Sequence, residues 1–463
     1  MERPKLKNSP YFVVGGLLLI AAGGFTALGV MQTRTQVMTT PTKLSRTEAS
    51  EKKEAQKPKK ELFEARGLHI TGWIAGGKKS FGKIVDLVNN TELNALCIDV
   101  KDSDGVVSYD TDVPLERQIK ASRHCMANPE RVLKLMSDNK IYPIARIVVF
   151  KDPILAEGKH DMAVHNANGG IWRDHAGVAW ANPYSKAVWD YNIDIAIDAA
   201  KRGFKEIQWD YVRFPSDGRT SACIYPGKDG RNESEVIRDF LKYARERLEP
   251  YGVVMSADIF GLTSLVSHDM GIGQTIKMIA ENVDYICPMA YPSHYARHEY
   301  GIPNPNVAPY ETIRLSLGDH LEEVQKTKAK VRPWLQDFSL YGVHYGRAEI
   351  IAQRRAAAEM GLTEFILWNP RCVYTESALS TDPEKPPKEI AAALKSKPFR
   401  VVLKKAGPDK EKVRALVEKT VGKEKVDRIL KSLPAPVATN LSWANAGKLA
   451  SELKSAGARV DVR

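Results

Sequence analysis

The sequence is poor in cysteine, and its few cysteines follow no metal-binding or redox pattern. Five occur in 463 residues, and no two of them form a CxxC pair. An odd number without ligand spacing argues against a zinc site and against a fold framed by disulfides. Cys97 and Cys287 lie inside predicted strands and are interpreted as small core residues, whereas a bridge between Cys125 and Cys223 stays open. We predict neither a metal ion nor a cofactor.

Long apolar runs are equally scarce, and only one reaches the length of a membrane span. Residues 11–30 form about twenty consecutive positions without a charge, enough for a helix to cross a bilayer. By the positive-inside rule, the basic residues before this run place residues 1–10 in the cytoplasm and the rest of the chain outside. We therefore predict a single-pass transmembrane signal anchor in the cytoplasmic membrane. The alternative is a signal peptide cleaved near Ala27-Leu28-Gly29, which would secrete the chain.

Large apolar side chains are nearly absent from residues 31–61, a composition that cannot offset the entropy of ordering. We predict a flexible linker over residues 31–66. Residues 43–60 hold seven basic and three acidic side chains, a surplus suited to anionic lipid head groups or wall polymers, although a solvated linker is the simpler interpretation. The chain does not interleave basic with aromatic residues, and with export this excludes nucleic acid as a partner.

A regular alternation begins after Arg66, in which a short β-branched or aromatic run is followed by a stretch of helical period. The predicted strands are 68–75, 94–102, 142–150, 206–214, 253–260, 284–292, 330–338 and 364–370. Eight alternations predict an α/β fold, a (β/α)₈ TIM barrel over residues 67–382. A doubly wound open sheet is the competing arrangement, but it usually has fewer strands and the nucleotide-binding glycine fingerprint is missing.

The composition changes to Pro, Lys and Glu at residues 383–398, which we predict to be a linker, and a small α+β domain follows over 399–463. Its segments VVLKKAGPDKEKV and KLASELKSAGARVDV resemble the C-terminal domain of the bacterial ribosomal stalk protein. The resemblance implies a fold and a protein-binding or wall-binding module. The Gly-Leu-rich segment of that family is replaced here by Val421-Gly422-Lys423-Glu424, which together with export argues against a role in translation.

Polar residues follow the apolar runs of most predicted strands, and the carboxyl ends of barrel strands form the active-site face. Because side chains alternate along a strand, Asp210 and Asp258 should point into the barrel mouth, where we predict a catalytic carboxylate pair. The candidate substrate-binding residues are Asp99, Lys101, Arg146, Trp180, Tyr211, Arg213, Tyr291, His294, Gln336, Asp337, Trp368 and Asn369. The alternative for each acid is a buried ion pair with Lys101, Arg146 or Arg213.

Tryptophans and one long loop add to this prediction. The tryptophans at 73, 172, 180, 209, 334 and 368 lie near strand ends or in the loop 151–184, and flat apolar rings suit stacking on sugars. Trp209 and Trp334 stand inside strands and are equally compatible with the core. The loop is long enough to be functional, and we predict a substrate lid. Its histidines at 160, 165 and 175 match no metal-ligand motif.

Five motifs identify a family resemblance. The segments NGGIWRDHAGVAWANPYSKAVWDYN, EIQWDYVRFPSDG, CPMAYPSHY, RPWLQDF and ILWNP closely resemble the putative glycosyl hydrolase domain family of exported bacterial proteins, over about residues 67–375. The resemblance implies the barrel and a carbohydrate substrate. By analogy with related barrels, Asp210 is the candidate nucleophile or stabiliser. Met289-Ala290-Tyr291 and Trp368 are similar to chitinase-like barrels, but Tyr211-Val212-Arg213 stand where those barrels have their acidic Glu, which argues against a substrate-assisted mechanism.

The predicted function is a membrane-anchored, extracytoplasmic glycoside hydrolase acting on a cell-envelope or exopolysaccharide glycan, with peptidoglycan as the leading substrate. The expected partners are the polysaccharide, the cytoplasmic membrane through the N-terminal helix, and a protein or wall component bound by the C-terminal domain. The alternative is a non-catalytic carbohydrate-binding or scaffold protein built on an inactive barrel.

Deleting residues 1–60 should leave a soluble, folded and active fragment, because no predicted strand or helix of the barrel begins before Gly67. Circular dichroism and hydrolysis assays on the fragment test this boundary. Insolubility or loss of the fold would contradict it.

Overall fold

The computed structural model describes residues 60–462. Within this part of the chain, no helix combines the length and the apolar character needed to cross a membrane. The predicted anchor at 11–30 and most of the predicted linker lie outside the described residues.

The described residues form a parallel barrel followed by a small antiparallel sheet. The strands are β1 Arg66–Ile70, β2 Ala95–Lys101, β3 Tyr142–Val148, β4 Glu206–Asp210, β5 Val254–Phe260, β6 Tyr285–Met289, β7 Lys330–Val331, β8 Trp334–Gln336, β9 Phe365–Trp368, β10 Phe399–Lys405, β11 Ala435–Leu441 and β12 Arg459–Val462. The helices are α1 Gly72–Gly76, α2 Lys78–Asn89, α3 Pro114–Ile119, α4 Pro129–Asp138, α5 Pro153–Gly158, α6 Lys186–Arg202, α7 Glu233–Leu248, α8 Ile276–Ala280, α9 Pro309–Val324, α10 Arg347–Glu359, α11 Lys388–Lys395, α12 Lys410–Val421, α13 Lys423–Lys431 and α14 Trp443–Ser455.

The barrel is closed, because β1 pairs in parallel with both β2 and β9, and β5 pairs with β6. Its seventh strand is divided into β7 and β8 around Arg332 and Pro333, where the proline has no N–H to donate to a ladder. Counting these two pieces as one strand gives eight, so the predicted (β/α)₈ barrel is confirmed.

Several predicted strands extend too far at their carboxyl ends. The prediction of strand over 68–75 is wrong for its second half, which forms α1, with the Thr71 hydroxyl accepting a hydrogen bond from the Ile74 N–H as its N-cap. The prediction over 206–214 is wrong beyond Asp210, because Tyr211 has a φ of 45° and ends the strand. Apolar residues continue past the strands here because the loops on this face are themselves buried.

Alternation along the strands divides the barrel side chains into an inner and an outer set. Trp209 of β4 faces outward, and its ring packs at 5.3 Å from that of Phe240 in α7. The inner cluster is apolar at mid-height and includes Cys97, Ile144, Cys287, Trp334 and Ile366. Trp209 and Trp334 are therefore core residues, and so are the two strand cysteines. All five cysteines, which lie in the described part of the chain, are unpaired.

The amino-terminal end of the barrel interior is closed by a buried ion network. The Arg332 guanidinium is fully buried, pairs with both oxygens of Glu206, and stacks 4.4 Å from the centre of the Tyr285 ring. The Ser256 hydroxyl donates a further hydrogen bond of 2.5 Å to Glu206. Glu364 lies 4.0 Å away on the other side of the guanidinium. This layer is polar but almost fully paired.

The C-terminal domain has the order β-α-α-β-α-β, with β10 between β11 and β12 in an antiparallel sheet. It packs on α9, where a side chain built at Gly318 would approach the Trp443 indole to 3.1 Å. Residues 383–398, predicted as a linker, contain α11, whose Ile390 and Ala393 are buried. The resemblance to the ribosomal stalk domain stays a prediction.

Replacing Arg332 with Met should lower the free energy of unfolding by about 3–5 kcal/mol, because Glu206 then keeps a buried charge without its partner. Denaturant titration measures the loss. The double variant Arg332→Met with Glu206→Gln should lose less free energy of unfolding than the single variant, because it no longer contains a buried carboxylate without a partner. Equal losses in the two variants would contradict this account.

Candidate active site

Arg146 of β3 stands at the centre of the barrel mouth and contacts acids from three other strands. Its Nη1 lies 2.5 Å from the Asp99 carboxylate, and its Nε and Nη2 lie 2.9 and 2.5 Å from Oδ2 of Asp210. The Nε is also 4.0 Å from Oδ2 of Asp258. Burial works against a charged guanidinium, but the charges of Asp210, Asp99 and Asp258 raise the pKa of Arg146 well above its ordinary value.

The two predicted catalytic acids are close neighbours. Because Oδ2 of Asp210 and Oδ2 of Asp258 lie 2.9 and 4.0 Å from the same Arg146 nitrogen, they are within about 7 Å of each other. Carboxyl groups of retaining glycosidases are about 5–5.5 Å apart and those of inverting enzymes about 6.5–9.5 Å. The spacing is therefore compatible with a retaining pair or with the shortest inverting pairs.

Asp258 occupies an environment that favours its neutral form. The side chain is buried, and its Oδ1 accepts hydrogen bonds of 2.6 Å from Gln208 Nε2 and 2.7 Å from Trp334 Nε1. Its Oδ2 is buried and has no hydrogen-bond partner among the described residues. Burial, followed by the charge of Asp210, raises the pKa of Asp258 well above its usual range. A neutral Asp258 carries a proton that it can transfer.

Asp210 ends β4 in a setting that favours a carboxylate. Its Oδ2 accepts two hydrogen bonds from Arg146, and its Oδ1 accepts one of 2.6 Å from the backbone N–H of Tyr211. Donors aimed at a carboxylate stabilise its charged form. The two acids of the pair thus stand in opposite environments, and such a difference separates an acid from a nucleophile or base.

A second ion pair fixes Arg146 from the side of β1. The ring Nε2 of His69 lies 2.9 Å from the carboxylate of Asp99. Burial acts against both charges, yet their attraction raises the pKa of His69 to about 9 and, with Arg146, lowers the pKa of Asp99 to about 2. Sequence reasoning missed His69. Its inward position in β1, two residues after Gly67, was the available signal.

One wall of the mouth is aromatic. Tyr291 stacks on Trp368 with ring centres 5.3 Å apart, and Phe338 meets Trp368 edge-on at 4.9 Å. His294 lies 5.4 Å from Tyr291. Burial and then the charges of Asp258 and Asp210 raise the pKa of Tyr291, which places this wall beside the acid pair. Phe338 was also missed, although it directly follows the predicted strand-end residue Asp337.

Four residues that were predicted to bind substrate are bonded to other parts of the protein instead. The structure assigns them to the framework around the mouth. Lys101 is fully buried with its ammonium 2.7 Å from Asp152, because a register irregularity after Asp99 turns it towards the outer layer. Gln336 is hydrogen-bonded to Ser293 and Phe338. Asp337 accepts hydrogen bonds from Thr375. Asn369 is hydrogen-bonded to Asp337 and Arg371.

The remaining predicted residues Trp180, Tyr211 and Arg213 form a second cluster beside Asp210. Trp180 is almost fully buried and donates its indole N–H to Asp174 at 3.1 Å. Trp172, from the same loop 151–184, is also buried. The loop is packed into the barrel through these two rings, so neither offers an open face for a sugar to stack on.

Solved structures resemble this chain, and the first of those described below supports the barrel fold. The glycoside hydrolase domain of PgaB (BpsB) from Bordetella bronchiseptica is 12% identical, covers 69% of this chain and 99% of its own length, and gives a TM-score of 0.51. A hypothetical protein from Ruminiclostridium thermocellum is 44% identical over 41% of this chain and 96% of its own, with a TM-score of 0.39. The spore cortex-lytic enzyme SleL from Bacillus megaterium is 14% identical, with 68% and 73% covered and a TM-score of 0.41. None of the curated proteins matches the chain.

The family comparison covers the whole barrel. The family described as "putative glycosyl hydrolase domain" matches residues 67–374, which hold all eight barrel strands and both acids of the pair. The barrel is thus a glycoside hydrolase domain whose substrate the family does not specify, and the chain belongs to the putative glycosyl hydrolase domain family.

Proposed function

We propose that the barrel hydrolyses glycosidic bonds in a cell-envelope or exopolysaccharide glycan, with Asp258 as general acid and Asp210 as nucleophile or stabiliser of the oxocarbenium ion. Peptidoglycan is the leading substrate. The observation that carries the proposal is the pair of carboxyl groups, within about 7 Å of each other and in opposite electrostatic environments.

The two roles follow from where the charge and the proton reside. Asp258 holds its proton on Oδ2, because Oδ1 already accepts from Gln208 and Trp334. This proton can pass to the leaving oxygen of the glycosidic bond. Asp210 accepts two hydrogen bonds from Arg146 and is placed to attack C1 or to stabilise the positive charge that develops there.

The face around the mouth has features of a surface that holds a polymer. Five of the large hydrophobic residues exposed in the described part of the chain lie in segments that follow barrel strands, on the active-site face. They are Trp73, Ile224, Val307, Tyr341 and Val373. Exposed apolar side chains around a catalytic mouth favour an extended glycan over a small free sugar.

The ends of the chain support a location at the cell envelope. The predicted membrane helix at 11–30 would hold the barrel outside the cytoplasmic membrane. Residues 399–463 contain 15 Lys and Arg against 7 Asp and Glu, so the C-terminal domain suits an anionic wall polymer or an acidic protein surface. We propose that it keeps the enzyme beside its substrate.

Replacing Asp210 or Asp258 with Asn should reduce hydrolysis by orders of magnitude, because each substitution removes an interaction made mainly in the transition state. Asp258→Asn should keep the fold, since Asn Oδ1 can still accept from Gln208 and Trp334. Sugars released from wall and exopolysaccharide preparations, measured by mass spectrometry together with melting temperature, test both variants.

Asp198→Asn is the matched control, because this largely buried acid of α6 pairs with Arg202 away from the mouth and its loss should leave turnover unchanged. Full hydrolysis by Asp210→Asn would remove that residue from the mechanism. Unchanged hydrolysis in both Asn variants would remove the pair from the mechanism, and binding of a glycan without any hydrolysis by the unsubstituted chain would favour the alternative, a carbohydrate-binding scaffold on an inactive barrel.

The raised pKa of Asp258 also predicts how activity and stability depend on pH. Activity should fall as the pH rises through this raised pKa, because the general acid loses its proton. The native state keeps a proton that the unfolded chain releases, so the stability contributed by this group also falls as the pH rises above the ordinary Asp range. The melting temperature of Asp258→Asn, relative to the unsubstituted chain, should therefore increase between pH 5 and pH 8. A constant difference would contradict the assignment.

A further inference from the structure

Arg213, three residues after the catalytic Asp210, is a buried cation without an acidic partner. Its side chain is 6% exposed. The guanidinium carbon lies 4.5, 4.8 and 5.1 Å from the ring centres of Phe260, Tyr211 and Trp180, respectively. It donates one hydrogen bond, of 3.0 Å, from Nη1 to the backbone carbonyl of Phe214.

The other buried arginines of the described chain show what is missing at Arg213. Arg332 pairs with Glu206, and Arg354 lies 2.9 Å from Glu92. Among the described residues, no carboxylate lies within ion-pair distance of Arg213, and burial lowers the pKa of this group from its ordinary value. Buried charges are normally paired because an unpaired one is costly. The carboxylates of Asp210, Asp217 and Asp174 act on the guanidinium from beyond ion-pair distance, which leaves the place of a direct partner to an anionic ligand.

A second cation, Lys151, lies over the ring of Tyr211, which Arg213 also contacts. The ammonium of Lys151 lies 5.2 Å from the centre of the Tyr211 ring, and no described carboxylate pairs with it either. Two positive charges on one ring repel each other unless an anion lies close to both. We call Lys151, Tyr211 and Arg213 the cation cluster.

The backbone fixes this cluster against the catalytic pair. Tyr211 has a φ of 45°, a conformation that costs energy for a non-glycine residue and that is often found at functional sites. Its carbonyl accepts a hydrogen bond from the N–H of Phe150, and its own N–H donates to Asp210. The orientation of the tyrosine is thus coupled to that of the candidate nucleophile.

We propose that the cation cluster is a subsite for a carboxylate carried by a sugar residue next to the scissile bond. The substrate would be an acidic glycan, containing either a uronic acid or a sugar with a carboxylate-bearing ether substituent. This inference rests on the proposed function, because it names the substrate class of the same site. The planar guanidinium suits a carboxylate with two parallel hydrogen bonds, and Lys151 adds a second charge. The exposed part of the Tyr211 ring suits the apolar face of the sugar that bears the acid.

The charges of the mouth support an anionic ligand. His69 and Arg146 are balanced by Asp99 and Asp210, and Asp258 favours its neutral form. Arg213 and Lys151 have no such direct partner among the described residues and lie next to the proposed site of cleavage.

The test measures binding by the full chain with two matched pairs of probes. The first pair is an oligogalacturonate and the same oligosaccharide after reduction of its carboxyl groups. The second is N-acetylmuramic acid and N-acetylglucosamine, which differ by a lactyl carboxylate. Calorimetry or ligand-observed NMR should give about tenfold or tighter binding for the acidic member of at least one pair, since hydrogen bonds to charged groups are strong.

Substitutions in the cation cluster test which residues cause the preferred binding of acidic probes. Arg213→Gln and Lys151→Gln should each remove most of it, whereas Arg213→Lys should keep part of it. Lys326→Gln is the control, because this exposed lysine precedes β7 at the opposite end of the barrel and should change nothing. If Arg213→Gln does not fold, the partly exposed Lys151 carries the test.

The results separate this inference from the proposed function. Preferred binding of an acidic probe that depends on Arg213 and Lys151, in a chain that hydrolyses none of the preparations, would retain the subsite and reject the hydrolase. Hydrolysis with equal binding of the acidic and neutral probes would overturn the subsite. Absence of binding for both acidic probes would overturn it too, as would a binding preference for a phosphate-bearing wall polymer over both of them.

Discussion

Arg146 is the residue on which the geometry of the mouth depends. One guanidinium on β3 contacts acids from β2 and β4 and lies 4.0 Å from the acid of β5, so four neighbouring strands are fixed relative to one another by a single charge. Two carboxylates this close repel each other, and a cation between them or a proton on one of them offsets that repulsion. Arg146 pairs directly with Asp99 and Asp210, whereas Asp258 is buried among neutral donors and its pKa is raised by burial and by the charge of Asp210. The difference between the two candidate acids thus follows from burial and from how one cation is shared.

The same barrel uses charge in two different ways at its two ends. At the amino-terminal end, Arg332 and Glu206 compensate each other in a fully buried layer. At the carboxyl end, Arg146 is shared unequally, and no carboxylate of the described residues lies within ion-pair distance of Arg213. A barrel interior favours complete pairing of its polar groups, because unpaired ones are costly at low dielectric. The missing ionic partner of Arg213 at the carboxyl end favours that end as the place where a ligand completes the network.

The eight-fold alternation of the sequence was sufficient to predict the barrel, because each strand run ended before a stretch of helical period. Alternation also placed Asp210 and Asp258 in the mouth correctly. It failed at Lys101, where an irregularity after Asp99 turns the side chain outward, and the sequence gives no sign of such an irregularity. His69 was missed because a single histidine in a strand resembles a core residue until its partner Asp99 is placed beside it. The raised pKa of Asp258 depends on its burial and on the nearby charge of Asp210, which only the folded chain brings together.

The contact between α9 and the C-terminal domain has a consequence for related sequences. Gly318 lies inside a helix, where glycine costs about 1 kcal/mol relative to alanine, and the space that a larger residue would need is filled by Trp443. A barrel that ends near residue 374 has no tryptophan at this place and no reason to keep the glycine. Among members of the family, a glycine at this position of α9 should therefore accompany a C-terminal domain with a tryptophan at the start of its last helix. Chains with the barrel alone should carry alanine or a larger residue there.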